Sequence, residues 1–151
     1  MKIRTEIDKG GEDEIIIRCR ERDERVIAIE RMLEGMAKSR RELVLYIGHE
    51  EHYVPLSEIL FFETVDSKVC AHTREAMYTS QYKLFELENI LPSSFVRISK
   101  SSIANVMSIG SLSRELVGNG EVRFYKTDKK TYFSRAYYKI LRDRIEEIRF
   151  S

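Results

Sequence analysis

From Leu43 onward the chain is cut into short apolar runs by polar or charged turns, and this rhythm limits the folds open to it. Residues 43–47, 53–56, 59–63, 69–72 and 76–79 are rich in β-branched and aromatic side chains and too short for helices, so they predict strands. Connections this short join antiparallel neighbours, because a parallel pair needs a crossover of a dozen residues or more. A helix is predicted over residues 81–91, where Leu84, Leu87 and Leu91 share a face and Pro92 stops the turn. Residues 111–117 and 121–126 flank Gly118, Asn119 and Gly120, a hairpin signal because these residues tolerate positive φ. A last strand is expected at residues 130–133, then a closing helix capped by Ser134 with Tyr137, Leu141, Ile145 and Ile148 on one face. The sum is an α+β, mainly β domain over residues 42–151, with antiparallel sheets and two to three helices.

Residues 1–41 have a different character. Two strands are expected at 2–7 and 15–19, separated by Gly10 and Gly11, and then a helix. Asp23 is its N-cap, Val26, Ile29, Leu33 and Met36 recur at helical spacing, and Lys38, Arg40 and Arg41 complement its C-terminal dipole. So small a strand–helix segment cannot bury its own apolar stripe. The expectation is a regulatory or dimerisation surface at 1–41, ahead of the larger domain.

The chain has 151 residues, 34% charged and 42% hydrophobic, the profile of a globular protein. A formal net charge of +1 hides an uneven spread. Residues 42–96 hold 3 basic and 9 acidic side chains, while residues 97–151 hold 12 and 6. Such asymmetry can build a one-sided field. No apolar run approaches a membrane span or a signal peptide, and Cys19 and Cys70 have neither metal-ligand nor redox spacing. Both cysteines read as reduced packing residues of a cytoplasmic protein.

Within the basic third, Arg97, Ser99, Lys100, Ser101 and Ser102 gather short hydroxyls beside two cations, with no acid among them. That donor set suits a polyanion backbone, with longer side chains left to reach base edges. The stretch Arg97, Ile98, Ser99, Lys100, Ser101 and Asn105 resembles the signature of the LytTR family of bacterial DNA-binding domains. Ser99 stands where many members have His, and Lys100 where many have Arg or Asn. Residues 56–63 and 132–138 match the family in order and spacing, so the resemblance covers residues 43–148.

The resemblance implies a transcription regulator that reads double-stranded DNA, usually paired promoter repeats, as a homodimer. It implies base contacts from Lys68, Lys100 and Arg135, and backbone contacts from Ser67, Arg97, Ser99, Ser101 and Ser134. Asn105 is a DNA contact in that reading, or a buried amide satisfying turn backbone. Many members carry a phosphoryl-receiver domain, which forty residues cannot form, so a histidine kinase is not expected to phosphorylate this chain. Receiver-less members are often held inactive by a membrane protein, which makes 1–41 alternatively a partner-binding module.

Enzymatic readings lack a constellation. His49 and His52 are three apart in a turn rather than four apart on a helix, and the serines have no nucleophile-elbow context. His72 reads as a structural strand histidine, and Gly118, Asn119 and Gly120 lack the Lys-Ser/Thr of a phosphate loop. Phe61, Phe62, Tyr132 and Tyr138 are expected in the core rather than stacking on bases. No cofactor or metal is expected.

Overall fold

The computed structural model describes residues 1–38, 41–115 and 119–150, with the side chains of 35–38 outside that description. Met36, Lys38, Arg40, Val117 and Gly118, which figure in the expectations above, therefore lie outside the described side chains or residues. The chain divides into two compact units, Met1–Glu34 and Gly35–Ser151.

The first unit corrects one expectation. Residues 1–22 form no strand, and Ile3, Ile7, Ile15 and Ile16 are exposed. A strand exists only where a neighbour takes its ladder hydrogen bonds, and none is supplied here. Gly10 and Gly11 do form a turn, in which the Gly10 N–H donates to the Asp8 carboxylate at 3.1 Å. Cys19 is exposed rather than packed. Helix α1, Glu24–Lys38, starts as expected: the Val26 N–H donates to Asp23 Oδ1 at 3.0 Å. Val26, Ile29 and Leu33 are half-buried, whereas Met32 is exposed.

Among its described residues the second unit contains two antiparallel sheets, two α-helices and short 3-10 turns. The larger has seven strands: β1 Glu42–Ile47, β2 Glu50–Pro55, β3 Phe61–Val65, β4 Lys68–His72, β5 Met77–Ser80, β6 Phe95–Ser99 and β7 Ser102–Asn105. Their order across the sheet is β2-β1-β5-β4-β3-β7-β6. The smaller sheet orders β10-β9-β8, from β8 Ile109–Arg114, β9 Gly120–Phe124 and β10 Lys130–Phe133. Helix α2, Leu84–Ile90, precedes β6, and Glu86 accepts the Lys83 N–H at its start. The closing helix begins with a 3-10 turn, Arg135–Tyr137, continues as α3, Tyr138–Ile145, and ends in a π-helical turn, Glu146–Phe150. Ser134 occupies the cap position without a side-chain cap bond, so its expected capping role is not seen.

Two cores explain the sequence pattern. One lies under α2, with Leu84 and Leu87 packed on Leu45, Phe62, Ala71 and Ile103. The other joins Phe61, Val96, Ile98 and Ala104 to Val122, Phe124 and Phe133 of the smaller sheet and to Leu141 and Ile145 of α3. Neighbours Phe61 and Phe62 thus enter different cores, as do Phe95 and Val96. The start of β3, most of β6 and all of β7 are buried on both faces, whereas β1 alternates because one face is open.

Gly120 is a strand residue rather than a turn residue. A Cβ there would lie 2.1 Å from the Phe133 ring and 2.3 Å from the Ser113 carbonyl. Only glycine lets Phe133 lie across β9 and seal the second core.

Candidate nucleic-acid interface

The register of the larger sheet collects three connections at one edge. β3 and β4 are joined by Asp66 and Ser67, with φ of 50° and 66°, and Val65 pairs with Lys68. Positive φ at both central residues marks the tight turn whose twist matches the strands. β3 also pairs with β7, Glu63 opposite Ser102, and the Thr64 N–H donates to the Ser101 carbonyl at 2.8 Å. The β3–β4 turn is therefore tied to the β6–β7 turn. The third connection, from β10 into its 3-10 turn, joins them through the Ser134 N–H, 2.9 Å from the Ile98 carbonyl.

That last bond depends on an irregularity. Between Arg97 and Ser99 the β6–β7 register slips, and Ile98 is the extra residue. Its side chain is fully buried while its carbonyl serves Ser134 instead of β7. A bulge bends a strand and re-aims its neighbours, and here it joins the two sheets at the edge carrying the hydroxyls.

Lys68, Lys100 and Arg135 are all exposed at these connections, one on each. Ser67 and Ser101 are exposed, and Ser99 and Ser134 are half-buried. Ser99, Ser101 and Ser134 line one shallow cleft with Glu63, Asn119 and Tyr132. Tyr132 is 56% exposed, correcting its placement in the core, because β10 alternates and Thr131 and Phe133 take the inward positions. Phe61 and Phe62 are buried as expected, and Tyr138 is half-buried against Phe133. Strand alternation fixed by Phe133 was the signal that could have placed Tyr132 outside.

Two residues do not reach outward. Asn105 is 4% exposed; its amide nitrogen donates to the Ile59 carbonyl at 3.0 Å and its oxygen accepts the Met107 N–H at 3.1 Å. It holds the turn after β7, the buried-amide alternative of the two given above. Arg97 is also committed: its Nε donates to the Ser99 carbonyl at 2.8 Å, and its guanidinium bonds the Lys100 carbonyl and the Glu88 carboxylate. Its side chain is 23% exposed. Arg97 clamps the turn that presents Lys100, which differs from the phosphate contact expected of it. Inside that turn Ser99 Oγ accepts the Ser101 N–H at 3.2 Å.

Beneath the edge lies a polar pair. His72 Nε2 is 2.8 Å from Glu63, and its ring stacks on Phe61 with centroids 4.4 Å apart. A carboxylate only accepts, so Nε2 carries the hydrogen, and among the described residues the buried Nδ1 has no partner. Burial pushes the imidazole pKa below its usual range, against the pull of Glu63 and with help from the Lys129 charge. Lys129, whose pKa burial also lowers, donates to the Ala76 carbonyl at 2.8 Å and ties the β9–β10 hairpin to β5.

Comparison with known proteins identifies the fold and the family. The model of the LytTr DNA-binding domain matches residues 49–146. An uncharacterised HTH-type transcriptional regulator of Staphylococcus aureus strain MSSA476 is 35% identical over 138 residues, 91% of this chain and 92% of the relative. Another, from strain bovine RF122 / ET3-1, is 39% identical over 104 residues, 68% of this chain and 69% of its own. A solved LytTr DNA-binding domain from Bacillus cereus superposes with a TM-score of 0.64 at 24% identity, covering 70% of this chain and 96% of that one. In this chain strands separate all the described helices, so no two of them form a helix-turn-helix pair.

Proposed function

The chain belongs to the family of LytTr DNA-binding domains, and from that premise we infer that it is a DNA-binding transcription regulator that reads promoter repeats through the turns at one sheet edge. The observation that carries the reading is the meeting of three connections, each with one exposed cation: Lys68, Lys100 and Arg135. Cations on short, well-bonded turns suit guanine edges in the major groove, where an aligned contact contributes about 1–3 kcal/mol of discrimination. Ser67, Ser99, Ser101 and Ser134 lie beside them and suit phosphate oxygens, which fix register without reading sequence. Arg97 and Asn105 act from behind by holding the backbone that carries these groups. Paired repeats call for two protomers, hence a homodimer on DNA in the cytoplasm.

The test is a gel shift with duplex DNA selected from a random pool, repeated across salt concentrations. Specific binding should weaken steeply with salt, and sites should emerge as spaced repeats. A pool that yields no consensus sequence would refute sequence reading.

Exposed Ile3, Ile7, Ile15, Ile16 and Met32 support a second role for residues 1–41. This segment would serve self-association or bind an inhibitory partner, including a membrane protein, without touching DNA. Its removal should leave residues 42–151 selecting the same sites with dimer formation or inhibition lost. Among the described residues no helix is long and apolar enough to cross a membrane.

A further inference from the structure

The smaller sheet ends on an open edge. β8 pairs with β9 on one side, and among the described residues no strand pairs with it on the other. Beside this edge the closing helix leaves a cleft lined by Leu112, Tyr138 and Phe150 and by the guanidinium groups of Arg114, Arg142 and Arg149. No carboxylate lines it among the described residues.

The three arginines are held differently. Arg149 donates to the Ile109 carbonyl at 2.7 Å and to the Tyr125 hydroxyl at 2.8 Å, which fixes it at one end of β8. Its bond to Ile109 also demonstrates that a donor from outside the sheet can serve this edge. The Arg114 guanidinium carbon sits 4.2 Å from the centre of the Tyr138 ring, a cation–π contact that leaves its N–H groups free to turn outward. Arg142 meets Glu146 at 3.2 Å, both well exposed, a pairing that water and a better partner readily replace.

Unpaired strand groups, an apolar floor and three cations are complementary to a chain that carries carboxylates along an extended backbone. We propose that this cleft docks an extended acidic segment of a partner protein, which adds to β8 as a strand and sets its carboxylates against Arg114 and Arg142. The cleft begins beside the proposed DNA-reading turns and runs away from them along β8. Arg114 pairs with Gly120 and Gly120 with Phe133, next to Ser134, whereas Ile109 and Arg149 lie at the opposite end of β8. A partner seated along the cleft thus lies away from the turns at its Arg149 end and next to them at its Arg114 end.

The probe is a fluorescein-labelled peptide of alternating Glu and Val, eight residues long, titrated with the full chain and followed by anisotropy. Binding should saturate and fall at least tenfold with Arg142→Glu, with Arg114→Glu, and on N-methylation of alternate peptide bonds in the probe. Lys100→Ala should leave it unchanged. Should a charge reversal impair folding in melting curves, Arg142→Gln replaces it, with a smaller loss expected. No saturable binding overturns the proposal, as does equal binding of the N-methylated probe, which would make the cleft an anion site only. Displacement by duplex DNA would reassign the arginines to phosphate. Light scattering that reveals a dimer dissolved by Arg142→Glu would assign the groove to a second copy and overturn it equally.

Discussion

Replacing Arg97 by Ala separates two accounts of the turn before β7. If Arg97 meets a phosphate, its loss reduces the slope of log K against log salt by about 0.9 and leaves the fold intact. The observed geometry predicts the reverse. Arg97 bonds two carbonyls, of Ser99 and Lys100, and the Glu88 carboxylate. A hydrogen bond from a charged donor contributes about 1.5–3 kcal/mol, but both carbonyls sit at a half-open turn where water can replace the lost donor. Glu88 is 44% exposed, so that ion pair adds little. The net cost should be about 1–3 kcal/mol, which for a domain of this size is a melting-point drop of roughly 4–12 °C. Affinity for a selected operator should fall because Lys100 loses its platform, with the salt slope unchanged. Arg97→Lys keeps the charge but not the fork that spans two carbonyls, so it should behave like Ala. Differential scanning calorimetry and a salt series of operator titrations decide. A preserved melting point together with a slope reduced by one contact would refute the clamp.

Lys100→Ala and Arg135→Ala should each cost about 1–3 kcal/mol of discrimination at particular base pairs with melting unchanged, measured by competition among single-base variants of a selected site. Gly120→Ala drives a Cβ to within 2.1 Å of the Phe133 ring and should destabilise the domain by about 3 kcal/mol or more in urea unfolding; a loss under ~1 kcal/mol would mean that the Phe133 site is loosely packed. Ser67→Gly relieves a non-glycine residue at φ of 66°, a strain of about 1–2 kcal/mol, and after the added freedom of the unfolded chain should raise stability by ~0.5–1 kcal/mol. Because burial lowers the His72 pKa in the folded state, the unfolded chain takes up the proton first as pH falls through about 6.5. Stability should therefore drop between pH 7 and pH 5.5, and drop less in His72→Gln, as followed by thermal melts.

The fold was readable wherever burial is one-sided or complete, because each leaves its own pattern. β1, β4 and β10 were located as short apolar runs and by the polar turns that bound them. β6 and β7 were harder, since the turn between them reads as one polar stretch and the bulge at Ile98 leaves no mark in composition. Residues 2–7 and 15–19 misled for the opposite reason: their β-branched residues satisfy a local pattern, but strands are made by neighbours. Gly120 misled because a glycine beside Asn119 signals a turn, while the reason for this one is a ring from a strand ten residues further on.

For the proposed interface, sequence groups Arg97, Lys100 and Asn105 without separating side chains that face outward from those that hold the backbone. Arg97 and Lys100 are both cations in one short stretch, three residues apart. What separates them is where backbone carbonyls fall: the bulge and the turn aim those of Ser99 and Lys100 back at Arg97, which closes around them. With its donors engaged, Arg97 gains little from a phosphate that it would have to leave two carbonyls to meet. Lys100, at the tip, has its carbonyl held and its side chain in water. Asn105 follows the same logic: each end of its amide meets a backbone group that burial would otherwise leave unpaired, at a cost of about 1–3 kcal/mol. A sequence motif thus mixes two kinds of residue under one pattern. The framing residues fix the backbone, and the remainder, Lys68, Lys100 and Arg135 with the exposed hydroxyls, is what the proposed reading assigns to DNA.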